Sequence, residues 1–547
     1  MRIGLLTEGG YPYVDGDARL WCDRLVRGLA HHEFDVYALS RNARQEERGW
    51  VALPPQVRRV LTAGLWSEPD TLSVPRYGRR DRRRFQDHFA DLVHGVCADG
   101  AAGEDRFAAG LYGIADLARE QGPATAALRS EAAVRLLESA CRTPGAHPAL
   151  HTAQVADLLE SATLVERALR PLSFDWYEEQ TLGAVDVCHA ASGGGAALPG
   201  LLAQRFFGVP LVVTEYGVRL RAHYLRGVEQ RPAVRALAGA LHGRLAAETY
   251  RGAAVVTPGN AHARRWQERC GADRRKLRTV YPGMDPERFA PVVGRADGRG
   301  DGGGGPSDTL VWVGRLEPGK DLIGLLHAFV QVRRARPSAR LLVAHSRPGE
   351  GPETAAYLAH CRSLAERLFA APEGAAEDAP APPVRFAEIG SAELPDVVDA
   401  YAAGRIAVLS SVVEGFPVSL VEAMFCGLAT VATDVGAVVE VVGGTGLVVQ
   451  PREPRALADA CLELFADPVR RERLGAAGRA RALEMFTVEQ NVAAFRAIYL
   501  QLVAHAPVRR GDGTPFADPA EIRVAPGGEW ATARTPGGSL SFPEVYS

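Results

Sequence analysis

The stretch Glu414-Gly-Phe-Pro-Val-Ser-Leu-Val-Glu422 decides the reading of this chain. Its two carboxylates stand eight positions apart, with Gly415 and Pro417 between them. The apolar run before it, Ile406-Ala-Val-Leu-Ser-Ser-Val-Val413, predicts a strand buried on both faces. The run that follows, Leu420-Val-Glu-Ala-Met-Phe425, predicts a helix. Eight residues make a little over two helical turns, so both carboxylates can lie on one side of a strand-to-helix turn. Such a turn sets acid groups beside backbone N–H donors at the C-terminal end of a parallel strand. Open α/β sheets take ligands at that edge, and helix N-termini hold phosphates there.

A second element lies about a hundred residues upstream: Thr309-Leu-Val-Trp-Val-Gly-Arg-Leu-Glu-Pro-Gly-Lys320. It reads as another strand and a glycine-containing turn, with a helix starting near Asp321. Arg315 and Lys320 leave that turn, one a planar fork and the other a compact point charge, a pair suited to clamping a diphosphate. Only two lysines, Lys276 and Lys320, stand against a large excess of arginine, which makes a lysine at this turn informative. The spacing Gly314 to Lys320 also matches a nucleotide-triphosphate loop, but Asp321 stands where a hydroxyl should meet magnesium. The Leu-Glu-Pro centre is also too bulky for a backbone N–H cradle.

Together, Gly314-Arg315-Leu316…Lys320 and Glu414…Glu422 resemble the retaining glycosyltransferases of GT-B fold, family 4. The resemblance runs over residues 1–75 and 185–505. It implies an α/β fold of two Rossmann-like domains facing a cleft, with a helical insertion in the first. It implies that Arg315 and Lys320 hold the donor diphosphate, and that Glu422 takes the ribose hydroxyls. Glu414 then sits near the transferred sugar, with the backbone of Gly415, Phe416, Val418, Ser419 and Leu420 approaching sugar and phosphate. Pro417 has no N–H and only shapes the turn. Thr433-Asp434-Val-Gly436…Glu440 fits the family's next turn. His189, ending a strand before Ala190-Ala-Ser-Gly-Gly-Gly195, matches a histidine near the reacting sugars; the alternative is a packed core histidine. Glu215, in Thr214-Glu-Tyr-Gly217, faces the same cleft or is strand-end packing. Gly16 is a candidate for the acceptor or phosphate loop, although Asp17 stands where a second glycine is expected. Thr7-Glu-Gly-Gly-Tyr-Pro-Tyr-Val14, Trp21-Cys-Asp-Arg-Leu25 and Thr214–Gly217 resemble the subgroup that contains the Pel exopolysaccharide glycosyltransferase.

Composition sets the bounds. The 547 residues suggest two to four domains, and a 47% hydrophobic share suffices for sizeable cores. A net charge of −2 gives no reason to expect nucleic acid as a partner, and the run Arg79-Arg-Asp-Arg-Arg-Arg84 reads as a solvated helix face. The eight cysteines are scattered without a Cys-x-x-Cys pair, so neither zinc nor a redox motif is indicated. No cleavable leader and no long apolar span are read, so the expectation is a cytoplasmic enzyme, with peripheral contact at the inner membrane face left open.

Along the chain, residues 1–291 read as the first domain, carrying a helical insertion over about 79–180. Phe85, Phe89, Leu92, Val93 and Val96 mark its first amphipathic helix. Arg278–Asp285 is expected to be the last short strand of that domain. A Gly-rich linker covers 292–308, and a surface loop covers 371–383. The second domain spans 309–487, a helix over 488–506 crosses back to the first, and 507–547 is an irregular tail. The expected activity is transfer of a hexosyl group from a nucleotide-diphosphate sugar to a hydroxyl on a sugar or glycan. A UDP-sugar is the first candidate donor, and no metal or other cofactor is expected. A polysaccharide-synthesis membrane complex is a candidate partner. The rivals are a catalytically weak nucleotide-sugar-binding scaffold and a sugar epimerase of the same fold.

Overall fold

The computed structural model describes residues 1–14, 19–66, 77–98, 100–226, 230–292, 308–347, 352–370 and 382–506. Gly16 and Asp17, the Gly-rich linker, the centre of the 371–383 loop and the 507–547 tail lie outside the described residues.

Two six-stranded sheets organise the chain. The first contains β1 (Arg2–Glu8), β2 (Glu33–Ser40), β3 (Val57–Gly64), β4 (Val187–Ala190), β5 (Leu211–Glu215) and β6 (Val255–Pro258), in spatial order β3-β2-β1-β4-β5-β6. The second contains β7 (Thr309–Gly314), β8 (Arg340–His345), β9 (Val384–Glu388), β10 (Ile406–Leu409), β11 (Ala429–Thr433) and β12 (Leu447–Val449), in order β12-β11-β10-β7-β8-β9. Every strand pair is parallel. Counted within each half, the order is the same doubly wound arrangement, and its direction reverses between β1 and β4 and between β7 and β10. Those reversals leave a crevice at the C-terminal strand ends, where ligands bind in such sheets.

The strands are apolar because both faces are covered. In β1, Ile3 and Leu5 enter a core that also holds Trp21, Val36 and Phe495, while Leu6 points to the other face. That other face is covered by one continuous core reaching into the segment between β3 and β4. There, helices Arg79–Cys97, Gly100–Gln121, Glu131–Cys141 and Val155–Leu169 pack over the sheet. Phe85, Phe89, Leu92, Val93 and Val96 are all buried, so the stripe of the first of these helices faces this core. Arg244, from the helix Pro232–Gly252, closes that helix's C-terminus by donating to Gly95 O at 3.0 Å.

Two strands escape the sequence reading. β3 is half-exposed or exposed at every position along one sheet edge, and β12 is three residues long at another. Arg278–Asp285, in contrast, is not a strand. Arg278 N and Val280 N donate to Val256 O and Pro258 O at 3.0 and 2.9 Å, and then Pro282, which has no N–H, ends the pairing.

The helix Val488–His505 leaves the second sheet and packs on the first. Thr487 caps it, and its buried face carries Phe495, Ile498, Tyr499, Leu502 and Val503. Phe495 is fully buried beside Trp21, with ring centroids 5.7 Å apart. Phe495→Ala is expected to lower the unfolding free energy by about 3–5 kcal/mol, from lost transfer energy plus a cavity. Denaturant titration would measure the loss, and hydrogen exchange would show the loosening concentrated over 488–505.

Candidate functional site

The site is built at the switch point of the second sheet. β7 ends at Gly314 and turns through Arg315 to a short 3-10 turn, Pro318–Lys320. Asp321 follows with φ 46°, a left-handed conformation unusual for a residue with a side chain. Its carboxylate accepts from Gly324 N at 3.1 Å and so starts the helix Leu322–Ala335. β10 ends at Leu409, and its turn lies against the first one. Val412 N and Val413 N donate to Gly319 O at 2.9 and 3.1 Å, and Ser410 Oγ donates to Lys320 O at 2.8 Å. This stitching sets Lys320 Nζ 2.5 Å from Glu414 Oε2, with side chains 16% and 10% exposed. Ser411 Oγ also donates to that oxygen, at 3.1 Å.

The rest of the decisive stretch wraps the same corner. Gly415 N donates to Glu414 Oε1 at 3.3 Å. The Phe416 ring packs 5.7 Å from Phe486 and 6.4 Å from Tyr281. Val418 is exposed and opens the eight-residue helix Val418–Phe425, whose first N–H groups face the turn. Leu420 is buried beneath it, and Ser419 O accepts the Tyr401 hydroxyl at 2.9 Å.

Glu422 is partly buried and also accepts from Tyr401 Oη, at 2.9 Å. Burial pushes its carboxyl above the usual range, against the opposing pull of that hydroxyl and of Arg288 and Arg24. Arg315 takes a different direction from Lys320. It lies 60% exposed, with Nε 3.0 Å from Glu317 Oε1, so the structure joins Lys320 to Glu414 but leaves Arg315 at the rim of the turn.

His189 is not brought to the cleft, which corrects its reading as a catalytic residue. It sits in mid-ladder, opposite Leu5 and Val212, and is fully buried. Nδ1 lies 2.5 Å from the Tyr499 hydroxyl and Nε2 2.6 Å from Thr214 Oγ1. Burial lowers its pKa to about 3, which keeps it neutral. It ties the crossing helix to the first sheet. Glu215 is buried at the C-terminal end of β5, where it accepts from the Tyr250 hydroxyl and from Arg219 N at 3.1 Å.

Of the groups that span the cleft, sequence reading gave Glu440 only as part of a turn and missed Arg221. Arg221 of the first domain donates to Glu414 O at 3.0 Å. Glu440 of the second accepts from Ala261 N at 2.7 Å and from the Tyr281 hydroxyl at 2.8 Å. Arg221 and Tyr401 lie outside any recognisable motif, so only their three-dimensional placement reveals them.

Comparison with known proteins bears on the family and the fold. A family model described as a domain of unknown function (DUF3492) matches residues 1–275, just over half of the 547. A model of the glycosyl transferases group 1 matches residues 307–467, which contain both turns of the site. The chain belongs to the DUF3492 family, and its second half is similar to the glycosyl transferases group 1. It is 31% identical to a D-inositol 3-phosphate glycosyltransferase of Kineococcus radiotolerans over 246 residues, 42% of this chain and 52% of that protein. The chain spans about half the length of the curated relatives it matches. Among solved structures it is similar to sucrose-phosphate synthase from Thermosynechococcus elongatus (TM-score 0.55, 17% identity, 92% of this chain and 99% of that one). It is also similar to Anabaena HepE in complex with UDP (TM-score 0.55, 15% identity, 92% and 100%). At these identities the likeness concerns the fold, which is GT-B. No helix among the described residues is long and apolar enough to cross a membrane.

The raised pKa of Glu422 carries a stability signature. A carboxyl raised in the folded state, from a reference of 4.5, favours folding below that reference, and the benefit is lost as pH rises through the folded value. Near neutral pH the ionised group therefore costs stability. Glu422→Gln, which keeps the Tyr401 contact, is expected to raise Tm at pH 7, with the gain shrinking toward zero at about pH 4. A thermal-denaturation series across pH measures it.

Proposed function

We propose that this protein is a retaining hexosyltransferase that moves a sugar from a nucleotide diphosphate to a hydroxyl of a sugar or glycan acceptor. The observation that carries the reading is the meeting of Lys320 and Glu414, from two separate turns, at the switch point of the second sheet. A buried ammonium there can take up the negative charge that grows on the departing diphosphate. The family resemblance gives Glu422 the ribose hydroxyls, and its place one helical turn inside the same corner supports that role. In this reading the acceptor attacks on the face from which the diphosphate leaves, and the departing phosphate oxygen takes the hydroxyl proton. The C1–O bond to the diphosphate breaks as the new glycosidic bond forms, with configuration kept. A UDP-sugar is the first donor to test, UDP being the nucleotide named for the Anabaena structure. A role in polysaccharide synthesis, beside a membrane complex at the cytoplasmic face, belongs to the same proposal.

The test is direct. Nucleotide binding is screened by thermal shift with UDP, GDP and ADP, and transfer is followed by NMR with the matching sugar donor. Lys320→Gln is expected to lower kcat by about 10²–10³-fold, and Lys320→Arg less. A product keeping the donor's anomeric configuration supports the mechanism; an inverted product refutes it. Firm UDP binding without turnover across a broad acceptor panel would instead identify a nucleotide-sugar-binding scaffold. Interconversion of the donor sugar without acceptor would identify an epimerase.

A further inference from the structure

The C-terminal edge of the first sheet faces the donor corner and carries a second cluster of charge. Four neighbouring strands contribute to it. Glu8 ends β1, and its carboxylate is 3% exposed. Arg219, the first residue of the helix Arg219–Arg226 after β5, places Nη1 2.7 Å from both Glu8 oxygens. Arg41, just past β2, brings Nε to 3.4 Å from the same carboxylate. Gly193, Gly194 and Gly195 follow β4 and form the floor.

A Cβ at these glycines or at Gly9 would crowd the charged side chains. A Cβ at Gly9 would stand 2.5 Å from Arg41 Cδ, and one at Gly194 would stand 2.9 Å from Arg219 Cδ. At Gly195 it would meet Glu8 Oε2 at 2.9 Å, and at Gly193 Glu215 Oε1 at 2.7 Å. Four charged side chains thus lie directly on bare backbone, which fixes their positions as a surface ion pair would not.

The arrangement has an inside and an outside. Glu8 and Glu215, the acceptor groups, are buried. The arginine side chains in front of them are 42% exposed for Arg219 and 53% for Arg41. Guanidinium has only donors, so among the described residues the solvent side of the cluster offers N–H groups in planar forks. Buried carboxylates behind arginines hold those forks in place, as an outer ligand orients an inner one. Arg221, two residues after Arg219, reaches the Glu414 carbonyl, so this edge opens onto the donor corner.

We infer that Arg219 and Arg41, braced by the buried Glu8, form an anion subsite that grips a carboxylate or phosphate on the acceptor sugar. Naming the occupant as the acceptor rests on the transferase reading; the anion chemistry rests on this cluster alone. Planar forks match both oxyanions, and a neutral hydroxyl would leave most of the donors unused.

The test uses the full chain and isothermal titration with D-glucose, D-glucuronate and D-glucose 6-phosphate, each with and without UDP. At least one acidic sugar is expected to bind tenfold or more tightly than glucose. Preference for glucuronate over glucose 6-phosphate, or the reverse, identifies the carboxylate or the phosphate source. Arg41→Gln removes a half-exposed contact and is expected to weaken the acidic sugar at least fivefold, with the UDP Kd moving less than twofold. The pair Glu8→Gln/Arg219→Gln removes the cation without leaving the Glu8 carboxylate charged and buried, and it is expected to abolish the preference. Equal binding of glucose, or no binding of either acidic sugar, overturns the inference. A parallel loss of UDP affinity in Arg41→Gln also overturns it, by making the cluster a donor-diphosphate clamp. Acidic-sugar binding by a protein that ignores UDP would leave this subsite standing and remove the transferase reading instead.

Discussion

The contact between Lys320 and Glu414 is the constraint on which the rest of the site depends. An ion pair this sheltered pays desolvation on both sides, and it persists only with good geometry and further hydrogen bonds. Both are present: the partners are 2.5 Å apart, Ser411 adds a donor, and the β7 and β10 turns are tied through Gly319 and Ser410. The pair also defines the chemistry. In the proposed reading, a phosphate entering the corner would compete with Glu414 for one ammonium, and the carboxylate so released would stand beside the transferred sugar. Charge is therefore preorganised at this corner, where a sheltered cation is already aimed.

The same edge in the first sheet is built the opposite way. There the carboxylates of Glu8 and Glu215 are buried and the cations face outward. In the second sheet, ammonium and carboxylate are sheltered together, with Arg315 at the rim. Two sheets of one topology thus present different chemistry across one cleft, because the side chains ending β1, β2 and β5 differ from those ending β7 and β10. The buried stripe of the helical segment between β3 and β4 packs on the face of the first sheet.

Much of this was legible in the sequence where several signals agreed. Apolar runs of strand length, followed by glycine and a helix, gave the parallel architecture, and the Glu414–Glu422 stretch gave the corner of the site. Legibility failed where the local signal was weak or the partner distant. β3 and β12 are edge strands, one half-exposed or exposed throughout and the other three residues long, so neither shows the continuous apolar run of a central strand. Through a family resemblance, His189 reads as a histidine near the reacting sugars or else a packed core residue. Its role is decided by Tyr499, 310 residues away, which no local pattern shows. Tyr401, Arg221 and Arg219 were invisible for the same reason, since each matters only through a carboxylate or carbonyl brought to it by folding. Glu8 was in plain view at the end of β1, but an acid at a strand end gains meaning only when two arginines arrive.

The contacts between the two domains differ in kind, and that difference says where the cleft can move. The chain crosses twice, near Met284 and near Thr487, and the two crossings run side by side as a parallel bridge. Next to it, the crossing helix is sealed to the first sheet by Phe495, Tyr499 and Leu502, an apolar dock that resists separation. Farther out the contacts are polar: Arg221 to the Glu414 carbonyl, and Glu440 to Ala261 N. Polar contacts exchange with water at small net cost, whereas uncovering buried aromatic rings does not. Rotation of one domain against the other is therefore cheapest about the paired crossings, with Arg221 and Glu440 releasing while the helix stays docked. Both latches touch the donor corner, Arg221 through Glu414 itself and Glu440 through the helix that follows Gly436. Opening the cleft thus alters the surroundings of the Lys320–Glu414 pair, and occupying the corner alters the balance that holds the cleft closed.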